Sequence, residues 1–178
     1  MLQESTLNHD THSPDPASPS FGRTRRSLLT WAGLGLMLPA VALADQPPVN
    51  TLKNSFFSSR TDTAINGHDT VAYFTVGKPV KGLDSLATTW MGAVWKFSSQ
   101  ANLDLFKANP EKYAPQYGGY CAYGVAQGSL VKVEPEQFTV RDGKLYLNYD
   151  ADIQAKWLKD TATFIKSADV RFPQLLKQ

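Results

Sequence analysis

The strongest structural signal in this chain is the segment Thr88-Thr89-Trp90-Met91-Gly92-Ala93-Val94-Trp95-Lys96-Phe97. Aromatic and β-branched side chains, which favour strands, lie on both sides of a short loop around Gly92. This arrangement predicts an antiparallel hairpin. Ser98 or Ser99 follows directly and is expected to cap a helix that carries Leu103 and Phe106 on its buried face.

The sequence predicts a second hairpin nearer the C-terminus. Residues 138–140 and 144–147 are rich in aromatic, β-branched and apolar side chains, and Arg141-Asp142-Gly143 separates them. Asp-Gly tolerates the positive φ that a tight hairpin turn requires. The two runs are therefore expected to pair as antiparallel strands.

A single long helix is predicted to close the domain. It is expected to open at Asp150 or Asp152 and to end before Phe172-Pro173, because a proline disfavours helical backbone in the preceding residue. Its apolar face carries Ile153, Trp157, Phe164 and Ala168. The predicted elements share one core, formed by Trp95, Phe97, Leu103, Phe106, Leu145, Leu147, Trp157 and Phe164.

The remaining segments complete the predicted organisation. Residues 45–63 are expected to form an extended lead-in, and a short strand is predicted over residues 71–74 after a turn. The tyrosine- and glycine-rich residues 113–128 predict a compact loop or short helix. The resulting fold class is α+β: one small domain over residues 64–178, with short antiparallel strands and hairpins and with helices packed on one side.

The N-terminal region resembles a twin-arginine export signal. Arg25 and Arg26 precede an apolar, glycine-containing run, and Ala42 and Ala44 supply the small residues that a signal peptidase requires. We predict that residues 1–44 are a signal peptide with a disordered leader, cleaved after Ala44. The apolar run is about long enough to span a bilayer, so an uncleaved anchor is the alternative.

This signal predicts the location and one partner of the protein. Twin-arginine export moves folded proteins, so the export machinery is the expected partner and the periplasm the expected location, without stable membrane insertion after cleavage. The formal net charge is +2, and no cluster of lysine or arginine follows Arg26, so nucleic acid is not an expected partner. The single cysteine, Cys121, excludes an intramolecular disulfide.

Three segments carry a family resemblance: DTVAYF at 69–74, WKFSSQAN at 95–102 and FKANPEKY at 106–113. They resemble the YHS domain, a short module linked to metals in copper-transporting ATPases and related proteins. Residues 116–122 and 142–148 are similar to an exported bacterial branch of that family. The resemblance extends over about residues 65–173 and implies a small domain that binds a metal ion or another ligand.

The chain departs from this family at the positions that matter for metal binding. Metal-associated YHS modules have cysteines at three positions, which are occupied here by Ala72, Ser98 and Asn102. The Tyr-His-Ser signature is also absent. The thiolate ligands that the resemblance would imply are therefore missing, and Cys121 has no counterpart among them.

Cys121, His68 and Met91 are the candidate metal ligands of this chain. Thiolate, imidazole and thioether groups together suit copper, with Cys121 as the principal ligand and Met91 as a weak third one. The alternative for Cys121 is a small buried side chain among tyrosines, and for His68 a solvated turn residue. Asp69 is predicted to cap a turn through local hydrogen bonds.

A candidate ligand pocket is formed by Tyr117, Gly118, Gly119, Tyr120 and Tyr123. The two glycines allow the backbone to approach a ligand closely, and the alternative is that they serve backbone turning and dense aromatic packing. The sequence contains no phosphate loop, nucleotide fingerprint, nucleophile elbow or His-Glu zinc motif. The pattern therefore indicates binding rather than a recognised catalytic apparatus.

These observations favour a non-catalytic, exported YHS-type domain that binds a small ligand or a metal ion, with copper as the candidate metal. A periplasmic interaction or structural module without a ligand is the alternative. A thiol-dependent enzyme that uses Cys121 is the third hypothesis. It is the weakest because one cysteine and one histidine after residue 44 give few routes to acid–base or covalent chemistry.

Overall fold

A computed structural model describes residues 46–52 and 61–178. In this part of the chain, two antiparallel hairpins are packed against helices in a small α+β domain, which confirms the predicted fold class. The signal residues Arg25, Arg26, Ala42 and Ala44 lie outside the described residues. Within the described ranges, no helix combines the length and the apolar character needed to cross a membrane.

The first hairpin consists of β1 (Leu83–Trp90) and β2 (Ala93–Phe97). Met91 and Gly92 form the turn with φ of 48° and 75°, the left-handed geometry that matches the twist of paired strands. Alternate residues of β2 are buried, so one face of this strand contributes Trp95 and Phe97 to the core. The predicted hairpin is confirmed.

The helix after this hairpin, α2 (Gln100–Ala108), begins where the sequence predicts it. The Ser99 hydroxyl accepts a hydrogen bond from the Asn102 backbone N–H, so Ser99 rather than Ser98 is the cap. Leu103 and Phe106 are buried as predicted. A short helix, α3 (Pro110–Tyr113), follows with proline at its first position, where the missing N–H costs nothing.

The second hairpin consists of β3 (Glu134–Arg141) and β4 (Lys144–Asn148). Asp142 and Gly143 form its turn with φ of 52° and 71°, as the Asp-Gly pair predicts. Four of the five residues of β4 are buried, so this strand lies inside the domain. The two hairpins form separate two-stranded sheets.

The prediction of a strand over residues 71–74 is wrong. These residues lead into a one-turn helix, α1 (Ala72–Thr75), and the preceding Val71 already has helical backbone angles. The Asp69 carboxylate accepts the Val71 and Ala72 backbone N–H groups, and this favours a helical turn over the β-propensity of the apolar side chains. A local cap therefore outweighs the strand preference of a short apolar run.

The prediction of a single C-terminal helix is also wrong, both in the number of helices and in where the last one ends. The structure has two helices, α5 (Ala151–Lys159) and α6 (Thr161–Leu175). Asp160 lies between them with non-helical backbone angles (φ −152°, ψ 64°), and its carboxylate accepts the Thr163 N–H as the cap of α6. The second helix continues through Pro173 to Leu175, beyond its predicted end.

The segment between α3 and β3 is compact, as predicted. A 3-10 turn over Gln116–Gly119 leads into α4 (Ala122–Ala126), whose first backbone groups are capped by Cys121. The other 3-10 turn, Ala64–Gly67, lies before α1. Both turns contain left-handed backbone at non-glycine residues, including Ile65 at φ 39° and Tyr117 at φ 56°.

The buried side chains form two clusters rather than the one that the sequence predicts. The first cluster joins the hairpins to α2 and contains Trp95, Phe97, Phe106 and Leu145. Trp157 belongs to the second cluster, with Phe164 only partly buried against it. In the second cluster, α6 packs on α4 and on the 3-10 turn at 116–119, whereas α5 packs on α4 and β4.

Candidate functional site

A buried carboxylate lies where the elements of the first cluster meet. Asp69 has no solvent-exposed surface. Its Oδ1 accepts the backbone N–H groups of Val71 (2.9 Å) and Ala72 (3.2 Å). Its Oδ2 accepts the Ser98 N–H at 2.8 Å, the Ser98 hydroxyl at 2.6 Å and the Asn102 amide at 2.7 Å. Five donors thus replace the water that solvates an exposed carboxylate.

The Asp69 carboxylate unites the three positions at which metal-associated YHS modules have cysteines. Ala72, Ser98 and Asn102 are distant in sequence, yet each donates a hydrogen bond to Asp69 through its backbone or side chain. The sequence correctly predicts Asp69 as a local cap. It does not predict the bonds from Ser98 and Asn102, because these depend on how α1, β2 and α2 pack together.

Cys121 lies in a different environment, at the N-terminus of α4. Its side chain has no exposed surface, and Sγ accepts the Gly124 N–H at 3.3 Å. The thiol also lies 3.8 Å from Oδ1 of the buried Asn148, to which it donates. Burial raises the pKa of the Cys121 thiol, so the protonated form is favoured at neutral pH.

His68 and Met91 occupy two further parts of the fold. The His68 ring is partly buried with Nδ1 3.2 Å from the Ile65 carbonyl, and its backbone pairs with Lys81. Burial and the Lys81 charge lower the pKa of His68. Met91 is half-exposed in the β1–β2 turn. Within the described ranges, the Cys121 thiol bonds to Gly124 and Asn148 and the His68 ring to Ile65, so these two side chains share no hydrogen-bond partner.

The two glycines of the candidate pocket contact the chain itself. An added Cβ at Gly118 would lie 1.8 Å from the Pro48 carbonyl oxygen. The Asn50 N–H and side-chain amide bind the Gly118 and Gly119 carbonyls at 2.8 Å and 2.9 Å. The close backbone approach predicted for a ligand is thus made by residues 46–52.

The tyrosines of the candidate pocket have separate contacts. The Tyr117 hydroxyl donates to Asp169 at 2.9 Å, and the Tyr120 hydroxyl donates to the Pro47 carbonyl at 3.1 Å. Tyr123 is partly buried, with its ring 5.0 Å from that of Phe164. These side chains pack α6 and the 46–52 segment onto the domain, which is the packing alternative of the sequence analysis.

Comparison with known proteins agrees with the resemblance in sequence. Residues 71–117 match the family model of the YHS domain. The match includes Ala72, Ser98 and Asn102 and excludes His68 and Cys121. Searches of the curated proteins and of the solved structures found no match to this chain.

The residues at the YHS cysteine positions do not fit a bound soft metal ion. Ala72 has no donor atom in its side chain, and the Ser98 hydroxyl and Asn102 amide both point hydrogen atoms at Asp69. A metal ion needs lone pairs directed at it, with about four ligands in a closed site. Among residues 46–52 and 61–178, no three His, Cys, Asp or Glu side chains are grouped as metal ligands.

Proposed function

We propose that this chain is an exported, non-catalytic YHS-type binding domain that works without a thiolate-held metal ion. The observation that carries the proposal is the Asp69 carboxylate, which accepts five hydrogen bonds, four of them from the residues at the positions of the missing cysteines. An internal polar cluster would then stabilise the part of the module in which metal-associated YHS domains have their cysteines. Ligand binding would then occur at a surface of the domain away from the Asp69 cluster.

The environment of Cys121 supports a structural role for the thiol. A copper ligand or a nucleophile must be a thiolate, and burial disfavours that form. The thiol also caps α4 through the Gly124 N–H. These contacts favour packing over both the copper site and the thiol-dependent enzyme that the sequence suggests.

Copper titration tests this proposal. The purified protein, kept reduced, is expected to bind less than a tenth of an equivalent of Cu(I) against a competing chelator of about nanomolar affinity. Cys121→Ser and His68→Ala are expected to give the same result as wild type. One equivalent bound by wild type and lost in Cys121→Ser would instead establish a copper site and overturn the proposal.

The export route has its own test. Arg25 and Arg26 are required by the proposed signal, so the double variant Arg25→Lys/Arg26→Lys is expected to accumulate as an unprocessed precursor in the cytoplasm. Cell fractionation and N-terminal sequencing read out the result, and wild type is expected to begin at Asp45. Normal processing of the double variant would show that another route exports the protein.

A further inference from the structure

A surface cleft lies between the 3-10 turn at 116–119, the first turn of α3 and the C-terminal part of α6. Its volume is about 360 Å³, and it is broadly open to solvent. Three aromatic side chains line it: Trp90, Tyr117 and Phe172. Of the pocket residues predicted from the sequence, Tyr117 lines this cleft; several of the other lining residues are distant from it in sequence and reach it only through packing.

The aromatic lining is held in place by packing and hydrogen bonds. The Tyr117 and Phe172 rings lie edge to face, with centroids 5.7 Å apart. Trp90 is fixed by edge-to-face contacts with Trp95 and Phe106 at 5.7 Å and 5.8 Å. These contacts fix the positions of the rings, and aromatic rings attract cations through their electron-rich faces.

The charged side chains that line the cleft are acidic. Glu111 and Asp169 contribute two carboxylates, and the described side chains that line the cleft include no lysine or arginine. Asp169 is oriented by the Tyr117 hydroxyl, which donates to it at 2.9 Å. Asp169 also borders a neighbouring cleft, which contains Arg141 and Lys166. A cation is therefore favoured in the cleft that Trp90 lines rather than in this neighbouring one.

Backbone strain also occurs at this cleft. Tyr117 has φ of 56°, a left-handed conformation that is costly for a residue with a large side chain. This conformation is part of the turn from which the Tyr117 hydroxyl reaches Asp169. The structure thus maintains an unfavourable backbone geometry at the residue that joins the aromatic and acidic parts of the cleft.

We propose that the cleft between Trp90, Tyr117, Phe172, Glu111 and Asp169 binds a small organic cation of the quaternary ammonium class. Aromatic faces bind the alkylated cation, which is weakly hydrated, and the two carboxylates complement its charge. The inference rests on the proposed function in one respect, since it supplies a ligand for a binding domain without a soft-metal site. It does not depend on the outcome of the copper titration.

Site-resolved NMR titration tests this proposal. Tetramethylammonium and choline are added to the purified protein at constant ionic strength, with sodium as the reference cation. Saturable shifts are expected at the Trp90 indole and the Tyr117 amide, with a dissociation constant on the order of 1 mM. The neutral choline isostere 3,3-dimethylbutanol is expected to bind about tenfold more weakly.

Two matched variants separate the cleft from general charge effects. Glu111→Gln is expected to weaken tetramethylammonium binding about fivefold. Glu136→Gln makes the same change at an exposed residue of β3 that does not line the cleft, and it is expected to leave the affinity unchanged. Equal weakening by both variants would overturn the proposal.

Two further outcomes would also overturn it. One is the absence of saturable shifts at Trp90 and Tyr117 with both ammonium probes. The other is binding of N-acetylarginine amide without binding of tetramethylammonium, which would assign the cleft to the side chain of a protein partner. Neither outcome changes the result of the copper titration, so failure of this inference is distinguishable from failure of the proposed function.

Discussion

Asp69→Ala is expected to lower the free energy of unfolding by about 3–5 kcal/mol. The substitution leaves five donors from Val71, Ala72, Ser98 and Asn102 without their acceptor. Each buried donor without a partner costs about 1–3 kcal/mol, and relaxation and water entry offset part of the sum. Denaturant unfolding measures the change.

Asp150→Ala is the matched control for this prediction. Asp150 also caps a helix, but the hydrogen bond that defines its cap comes from the Ile153 N–H alone. Its loss is expected to cost about 1 kcal/mol, as for an ordinary cap. Equal losses in the two variants would show that Asp69 is only a local cap, and that the bonds from Ser98 and Asn102 contribute nothing.

A double-mutant cycle isolates one of these bonds. Asn102→Ala alone is expected to destabilise the protein by about 1.5–3 kcal/mol, because its amide donates to a charged acceptor. In an Asp69→Ala background the same change is expected to cost much less, since the acceptor is already gone. Additive losses would contradict a direct interaction between the two side chains.

Trp157→Ala is the second large prediction, with an expected loss of about 3–5 kcal/mol. Trp157 has no exposed surface and packs on Tyr146 with ring centroids 5.2 Å apart. Its indole N–H has no hydrogen-bond partner among the described residues, so the expected loss comes from packing and the cavity. Thermal or denaturant unfolding by circular dichroism measures it.

The neighbouring residue supplies a control on the same helix. Leu158 is 53% exposed, so Leu158→Ala removes side-chain volume without opening a buried cavity. Its cost is expected to stay below about 1 kcal/mol. A similarly small loss for Trp157→Ala would mean that α5 is peripheral and that the second cluster adds little to stability.

Both hairpins could be predicted from the sequence because their signals are local. Met91-Gly92 and Asp142-Gly143 permit left-handed turns, and the flanking side chains favour strands. The same holds for α2, where the capping serine and the spacing of Leu103 and Phe106 agree. Such elements are specified by residues within a few positions of each other.

The predictions of secondary structure are wrong where the hydrogen bonds of one capping side chain outweigh the preference of a longer apolar pattern. Asp69 turns the apolar residues after it into α1, and Asp160 divides a continuous helical pattern into α5 and α6. The spacing of apolar residues predicts helices and strands, but it does not predict a hydrogen bond from a backbone N–H to a carboxylate. Pro173 is tolerated within α6, although a proline usually marks a helix end.

The candidate site was less predictable than the fold. Ser98 and Asn102 were identified by comparison with the YHS pattern, but their common acceptor could be found only from packing. The contact of Gly118 with Pro48 likewise joins residues far apart in sequence. Side-chain chemistry alone suggests Cys121, His68 and Met91 as ligands, and the fold places them in three different parts of the domain.

The melting temperature of the protein with and without metal tests the central claim most directly. A ligand that binds only the folded state raises stability, by about 2.7 kcal/mol at a hundredfold excess over its dissociation constant. Because five internal donors already bind Asp69, we predict the same melting temperature after exhaustive chelation and after addition of one equivalent of Cu(I). A fall of several degrees on chelation, reversed by Cu(I), would contradict the account.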